Sequence, residues 1–169
     1  IKKYKVKIAE NKIKRINNNT KIKTYKIRLN SKNLKKIIVN YDYIVDGSDN
    51  FKTKFLLNDF CFKFKKTLIT GAISKFDGHV FTFNFKNKDI PCLRCFFQES
   101  KISENLLNCE SEGILGTVAG IVGSIQANEV LKNILNIGKG LDGYIFILDM
   151  LNFNFRKVKL KKRKNCFCK

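Results

Sequence analysis

A chain of 169 residues, 44% of them hydrophobic, is long enough for one domain with a buried core and too short for two comfortable ones. Its formal charge of +20 invites nucleic acid or an anionic membrane as a partner, yet the lysines are spread through every segment, which reads as a solvated basic surface and sets nucleic acid aside. The longest apolar run, Ile114 to Ile125, falls short of the roughly 20 residues a bilayer requires, and six cysteines without a signal segment argue for a reducing, cytoplasmic compartment over a disulfide framework.

The chain opens on Ile1 and runs at once into a helical pattern, so it reads as a fragment whose natural start lies upstream. Val6, Ala9, Ile13 and Ile16 recur at intervals of three and four, predicting a helix that Asn17-Asn18-Asn19 ends. Lys21 to Leu29 alternates imperfectly through Ile22, Tyr25, Ile27 and Leu29 and is expected as a strand, with a short helix following through Leu34 to Ile38. Tyr43-Ile44-Val45-Asp46 reads as a compact apolar strand, Gly47 to Asn50 as a turn, Phe51 to Phe64 as a helix and Thr67 to Gly71 as a second strand. Strand, helix, strand is the order of a parallel α/β unit, whose strands are buried on both faces.

From Gly78 the pattern changes. Phe81, Phe83 and Phe85 fall on one side of a strand and Val80, Thr82 and Asn84 on the other, as in a half-buried antiparallel strand. Gln98 to Gly113, rich in Ser, Glu and Asn, reads as an exposed loop. A long helix from Leu115 to Leu135 carries Gly116, Gly120, Gly123 and Ala127 along one stripe, where another element can approach closely. Tyr144 to Leu148 is expected as a buried strand, and Phe153 to Leu160 as another with a bulge near Arg156 and Lys157, where the apolar parity shifts.

Cys92-Leu93-Arg94-Cys95 is the sharpest local signal, because two intervening residues let a tight turn aim both sulfurs at one ion. Cys166-Phe167-Cys168 supplies a second pair, and together they make a closed four-thiolate site. Such a site leaves no open position for water, so zinc in it is structural, contributing roughly 10 to 16 kcal/mol on the zinc-finger peptide scale. Ordinary thiols are the alternative, and the one-residue spacing of the second pair makes Cys168 the weaker ligand. Cys61, inside an apolar helix, reads as core, and His79 has no evident partner.

Asp49 stands between a buried strand and a helix, where an open parallel sheet places its ligand-binding groups. A carboxylate there can hold Mg²⁺ against triphosphate oxygens, or it can simply cap the helix beginning near Phe51; the local pattern leaves both open.

In order along the chain, Asp46-Gly47-Ser48-Asp49-Asn50, Gly71-Ala72, Pro91-Cys92-Leu93-Arg94-Cys95, Cys109 through Gly116, Gly123-Ser124-Ile125-Gln126-Ala127 and the terminal cysteine pair resemble the ThiF/MoeB/HesA adenylating enzymes, relatives of the ubiquitin-activating enzymes. The resemblance implies a Rossmann-like ATP-binding domain. In it the C-terminal glycine carboxylate of a small ubiquitin-like sulfur-carrier protein, ending in Gly-Gly, attacks the α-phosphate of MgATP and gives an acyl-adenylate and pyrophosphate, in thiamine or molybdenum cofactor biosynthesis. It further implies Asp49 as the metal and nucleotide aspartate, Asn50 as its neighbour at the nucleotide and Lys5 as the lysine on the phosphates. Cys92, Cys95, Cys166 and Cys168 match the Zn²⁺ ligands, although the family usually spaces the second pair by two residues.

Cys109 matches a cysteine of the family's crossover loop that in some members bonds covalently to the carrier or relays sulfur. Glu110 and Glu112 beside it disfavour a thiolate, so a reactive and an inert Cys109 both stay open. Family members of this kind pair as homodimers, and the stripe from Gly116 to Ala127 is a candidate packing surface. The glycine-rich nucleotide turn, the ribose-binding acid and the arginine finger belong to an N-terminal half that residues 1–169 lack, so the fragment alone is expected to bind ATP poorly. The fold class expected is therefore α/β: the second half of a Rossmann-like, mainly parallel sheet, an antiparallel extension and a zinc-pinned C-terminus. Two rivals are an activator carrying a ubiquitin-like protein as a thioester on Cys109, and a non-enzymatic basic zinc module that binds nucleic acid.

Overall fold

Five strands lie side by side in chain order: β1 (Tyr43–Asp46), β2 (Thr67–Ser74), β3 (Asp77–Asn84), β4 (Tyr144–Asp149) and β5 (Asn154–Lys159). The computed structural model describes residues 3–98 and 113–168. β1 pairs with β2 in parallel, Asp46 opposite Thr70, and β2/β3, β3/β4 and β4/β5 pair antiparallel. The α/β class and the antiparallel extension are as expected, while among the named strands only β1 and β2 pair in parallel, with isolated parallel bridges at Lys75–Ile114 and Thr82–Asp142.

The helices are α1 (Lys5–Ile16), α2 (Ser31–Ile38), α3 (Phe51–Lys63), the single turn α4 (Leu93–Phe96) and α5 (Gly116–Leu135). α2 begins with a capping box: the Asn30 side chain accepts the Lys32 and Asn33 N–H groups, and Asn33 returns the bond to the Asn30 N–H. Lys21 to Leu29 is not the strand that its alternation predicts. Ile22, Ile27 and Leu29 instead line an open cleft with Val6, Ala9 and Ile13 of α1 and Ile37 of α2, where Ile13 and Ile27 stay exposed, so the apolar rhythm faces a groove between two helices and not a sheet.

Side-chain alternation divides the core between the two faces of the sheet. Leu68, Phe81, Phe83 and Ile145 point to one face and pack under α2, α3 and α4 with Leu34, Ile38, Phe55, Leu57, Cys61 and Leu93. Ile69, Val80 and Leu148 point to the other, beneath Val118 and Val122 of α5. β3 is therefore buried on both faces, not half-buried, because α5 covers the side carrying Val80 and Thr82. Cys61 is core as read.

α5 turns Val118, Val122, Gln126 and Glu129 to the sheet. Gly116, Gly120 and Gly123 face away, with nothing within 4 Å of a Cβ placed on any of them, so the small-residue stripe serves no packing among the described residues. The close approach is made from the sheet: a Cβ on Gly71 would lie 2.9 Å from Val122 Cγ1, and one on Gly78 2.6 Å from Val122 Cγ2.

The bulge expected near Arg156 and Lys157 is absent. The register from Tyr144↔Lys159 to Asp149↔Asn154 is unbroken, and every residue of β5 is exposed, so no covering layer imposes a parity on this edge strand. Among the described residues no helix is long and apolar enough to cross a membrane.

Candidate functional site

β1 ends on Asp46, a buried carboxylate. Its Oδ1 accepts the Ser48 N–H at 2.8 Å, folding the chain into a turn, and its Oδ2 accepts the Thr70 hydroxyl and the Lys54 ammonium, the latter at 3.1 Å. Lys54, buried on α3, also donates to the Gly71 carbonyl. From the opposite face, Gln126 of α5 donates to the Asp46 carbonyl at 2.9 Å and to the Ile69 carbonyl at 3.3 Å. The carboxyl end of the parallel pair is thus tied to a helix on each side, each buried charge and amide having a partner as burial requires.

That bracing leaves Asp49 exposed at the tip of the turn. The cap of α3 is not Asp49 but Asn50, whose Oδ1 accepts the Thr53 N–H at 2.8 Å while its Nδ2 donates to Asp49 at 3.0 Å. The Asn50 amide, then the residue's own backbone N–H, then the more distant charges of Lys5 and Lys54 hold the Asp49 carboxyl below the usual carboxylate range. Asp49 is an ionised, outward-facing group at neutral pH. Lys5, exposed at the start of α1, stands near enough to act on it, so Lys5, Asp49 and Asn50, far apart in sequence, share one corner of the molecule. Ser48 Oγ in the same turn is buried without a hydrogen-bond partner among the described residues.

The second constellation is thiol. Cys92 and Cys95 flank the start of α4, and Cys166 and Cys168 lie in the tail after β5. Sγ–Sγ separations are 4.0 Å for Cys92–Cys95, 3.5 Å for Cys92–Cys166 and 3.5 Å for Cys95–Cys168, and all four sulfurs fall within 4.8 Å of one another. Four sulfurs at 2.3 Å around a tetrahedral zinc stand about 3.8 Å apart, so the set fits such an ion, Cys168 with its short spacer included. Burial raises the Cys92 thiol well above its ordinary range and pushes Cys168 up to about 12. At Cys166 burial is outweighed by hydrogen bonds from the Cys168 N–H and the neighbouring thiols, which bring that group down to about 7. As bare thiols Cys92 and Cys168 therefore stay protonated, and a bound cation is what stabilises the whole set as thiolates.

Cys109 lies outside the described residues. Lys54 and Gln126 are the site residues that sequence reasoning passed over. Gln126 stood in a quoted motif without a role, and Lys54 was one basic residue among 34.

The family model described as ThiF family matches residues 1–169. The sulfur carrier protein adenylyltransferase of Thermus thermophilus is 35% identical over 165 residues, a match covering 96% of this chain and 61% of that protein. The Pyropia yezoensis protein named "Probable molybdopterin-synthase adenylyltransferase" is 40% identical over 157 residues, 92% of this chain and 41% of that one. Among solved structures, E. coli MccB with ATP superposes with a TM-score of 0.80 at 14% identity, over 99% of this chain and 51% of that one, which is a likeness of fold. The chain spans between two fifths and three fifths of the length of these two relatives.

Proposed function

Because the chain belongs to the ThiF family, we propose that residues 1–169 are the C-terminal part of an ATP-dependent adenylyltransferase that activates the C-terminal glycine of a small ubiquitin-like sulfur-carrier protein, of the thiamine or molybdenum cofactor kind. The observation that carries this reading is the corner formed by Lys5, Asp49 and Asn50 at the carboxyl end of β1, where an open α/β sheet receives its ligand.

In this reading the ionised Asp49 carboxylate would hold the Mg²⁺ that arrives with ATP, and the Lys5 ammonium would neutralise phosphate oxygens. Asn50 fixes Asp49 through the amide proton it donates. The carrier's terminal carboxylate attacks the α-phosphorus, the bond to the bridging oxygen breaks, and pyrophosphate leaves with that electron pair. The chain's share in this step is positioning and charge neutralisation.

Cys92, Cys95, Cys166 and Cys168 would hold Zn²⁺ as thiolates in a closed site, whose contribution is to pin the tail to α4. Reduced thiolates accord with a cytoplasmic setting. The protein is proposed to act as a homodimer, with the outward face of α5 around Gly120 as the candidate contact.

The test is ATP–pyrophosphate exchange by the full-length protein with Gly-Gly-tailed carriers. Carrier-dependent exchange is the expected result, and none with any such carrier overturns the proposal.

A further inference from the structure

The thiol cluster has an unusual construction problem. Its second pair has a single spacer residue and sits in a tail that follows β5 without regular structure; near the pair, the tail's backbone hydrogen bonds include Cys166 N–H to the Arg163 carbonyl, Arg163 N–H to Cys95 Sγ and Cys168 N–H to the Cys166 thiol. A chain end held so lightly frays unless side chains anchor it.

α3 provides the anchor. Phe55, Asn58, Asp59 and Phe62 are spaced three, four and seven residues apart and so form one stripe along the helix. Asn58 Oδ1, fully buried, accepts the Leu93 N–H at 2.9 Å, which fastens the first cysteine turn to the stripe. Arg94, the other spacer residue of that turn, forms two parallel bonds to Asp59, Nε to Oδ1 at 2.8 Å and Nη2 to Oδ2 at 2.8 Å. Its guanidinium carbon lies 4.5 Å from the centre of the Phe55 ring and 5.9 Å from that of Phe167. Phe167, the lone spacer of the second pair, sets its ring edge-on to Phe62 with centroids 5.1 Å apart. The spacers of both cysteine pairs therefore converge on the same helix stripe, with the Arg94 guanidinium within reach of two aromatic rings, of which Phe167 is half-exposed.

We propose that Arg94 and Phe167, neither of them a ligand, are the positioning residues that complete the metal centre: they seat both cysteine pairs on α3, and the seat of Phe167 lets a one-residue spacer bring Cys166 and Cys168 to the ion. This rests on the four-thiolate reading above. The planar fork and stacking of Arg94 are beyond a lysine, and the ring of Phe167 is kept by tyrosine but not by alanine.

The experiment measures zinc stoichiometry and the rate of zinc release to a chromogenic chelator in the purified full-length protein. Wild type should retain one zinc per chain. Arg94→Lys and Phe167→Ala should each release it at least about tenfold faster, on the scale of residues that support metal ligands, while Phe167→Tyr and the remote control Phe153→Ala release it as wild type does. Release from Arg94→Lys and Phe167→Ala at the wild-type rate overturns the positioning role. A wild-type protein that retains no zinc removes the four-thiolate reading itself, and this proposal with it.

Discussion

Replacing Lys54 by methionine would remove one ammonium group from the interior and little else, because methionine keeps the unbranched apolar stem. The Lys54 side chain is 7% exposed and that of its partner Asp46 2%, so solvent does little to screen the pair. In Lys54→Met the Asp46 carboxylate keeps the Ser48 N–H and the Thr70 hydroxyl but loses its counter-charge, and the Gly71 carbonyl loses its donor. Breaking a buried pair from one side costs about 3 to 5 kcal/mol, which at about 2 to 4 °C per kcal/mol for a domain of this size lowers Tm by about 6 to 20 °C. Denaturant unfolding and calorimetry of the full-length protein would measure it. The companion Asp46→Asn/Lys54→Met removes the orphaned charge as well, and is expected to recover at least about 1 kcal/mol relative to Lys54→Met alone. Because Asp46 shapes the turn that presents Asp49, KM for ATP in pyrophosphate exchange should rise in step. If Lys54→Met loses less than about 1 kcal/mol, or the double variant is less stable than the single, the ion pair does not hold the turn.

Two further substitutions separate chemistry from scaffold. Asp49→Ala should lower pyrophosphate exchange by about 100-fold or more, the scale of a lost electrostatic contact to a reacting phosphate, while stability stays within about 0.5 kcal/mol because the side chain is exposed and caps nothing; a large loss of Tm with exchange retained would contradict the assignment. Cys109→Ser should leave adenylation of the carrier intact, read as pyrophosphate exchange, and abolish any covalent adduct seen by mass spectrometry under non-reducing conditions. If exchange falls with it, Cys109 belongs to the adenylation step.

What could be read from the sequence is what repeats or what chemistry forces. The alternation of Phe81, Phe83 and Phe85 against Val80 and Thr82 gave the correct two faces of β3, since a strand has no other way to divide its side chains. The four cysteines declared themselves because few other arrangements of buried thiols are chemically useful. Periodicity failed where nothing covered the element, as in β5, or where the same rhythm faces an open groove, as with Ile22, Ile27 and Leu29 beside α1 and α2. Lys54 was invisible for a different reason: in a chain with 34 basic residues, the one that is buried among the described residues differs from the rest only by what stands across from it, and that is decided by the β1–α3–β2 crossover.

The glycines carry the same lesson further. A run of small residues on α5 suggests that something packs against them, yet the close contact lies on the helix's other side, where Gly71 and Gly78 of the sheet admit the branched side chain of Val122. Closeness between two surfaces constrains the sum of their side chains, so the missing bulk can be taken from either partner. Sequence marks every small residue alike. Only the pairing of α5 with β2 and β3 shows that the spared volume on the sheet brings Gln126 to the Asp46 carbonyl, and with it braces the turn from which Asp49 projects.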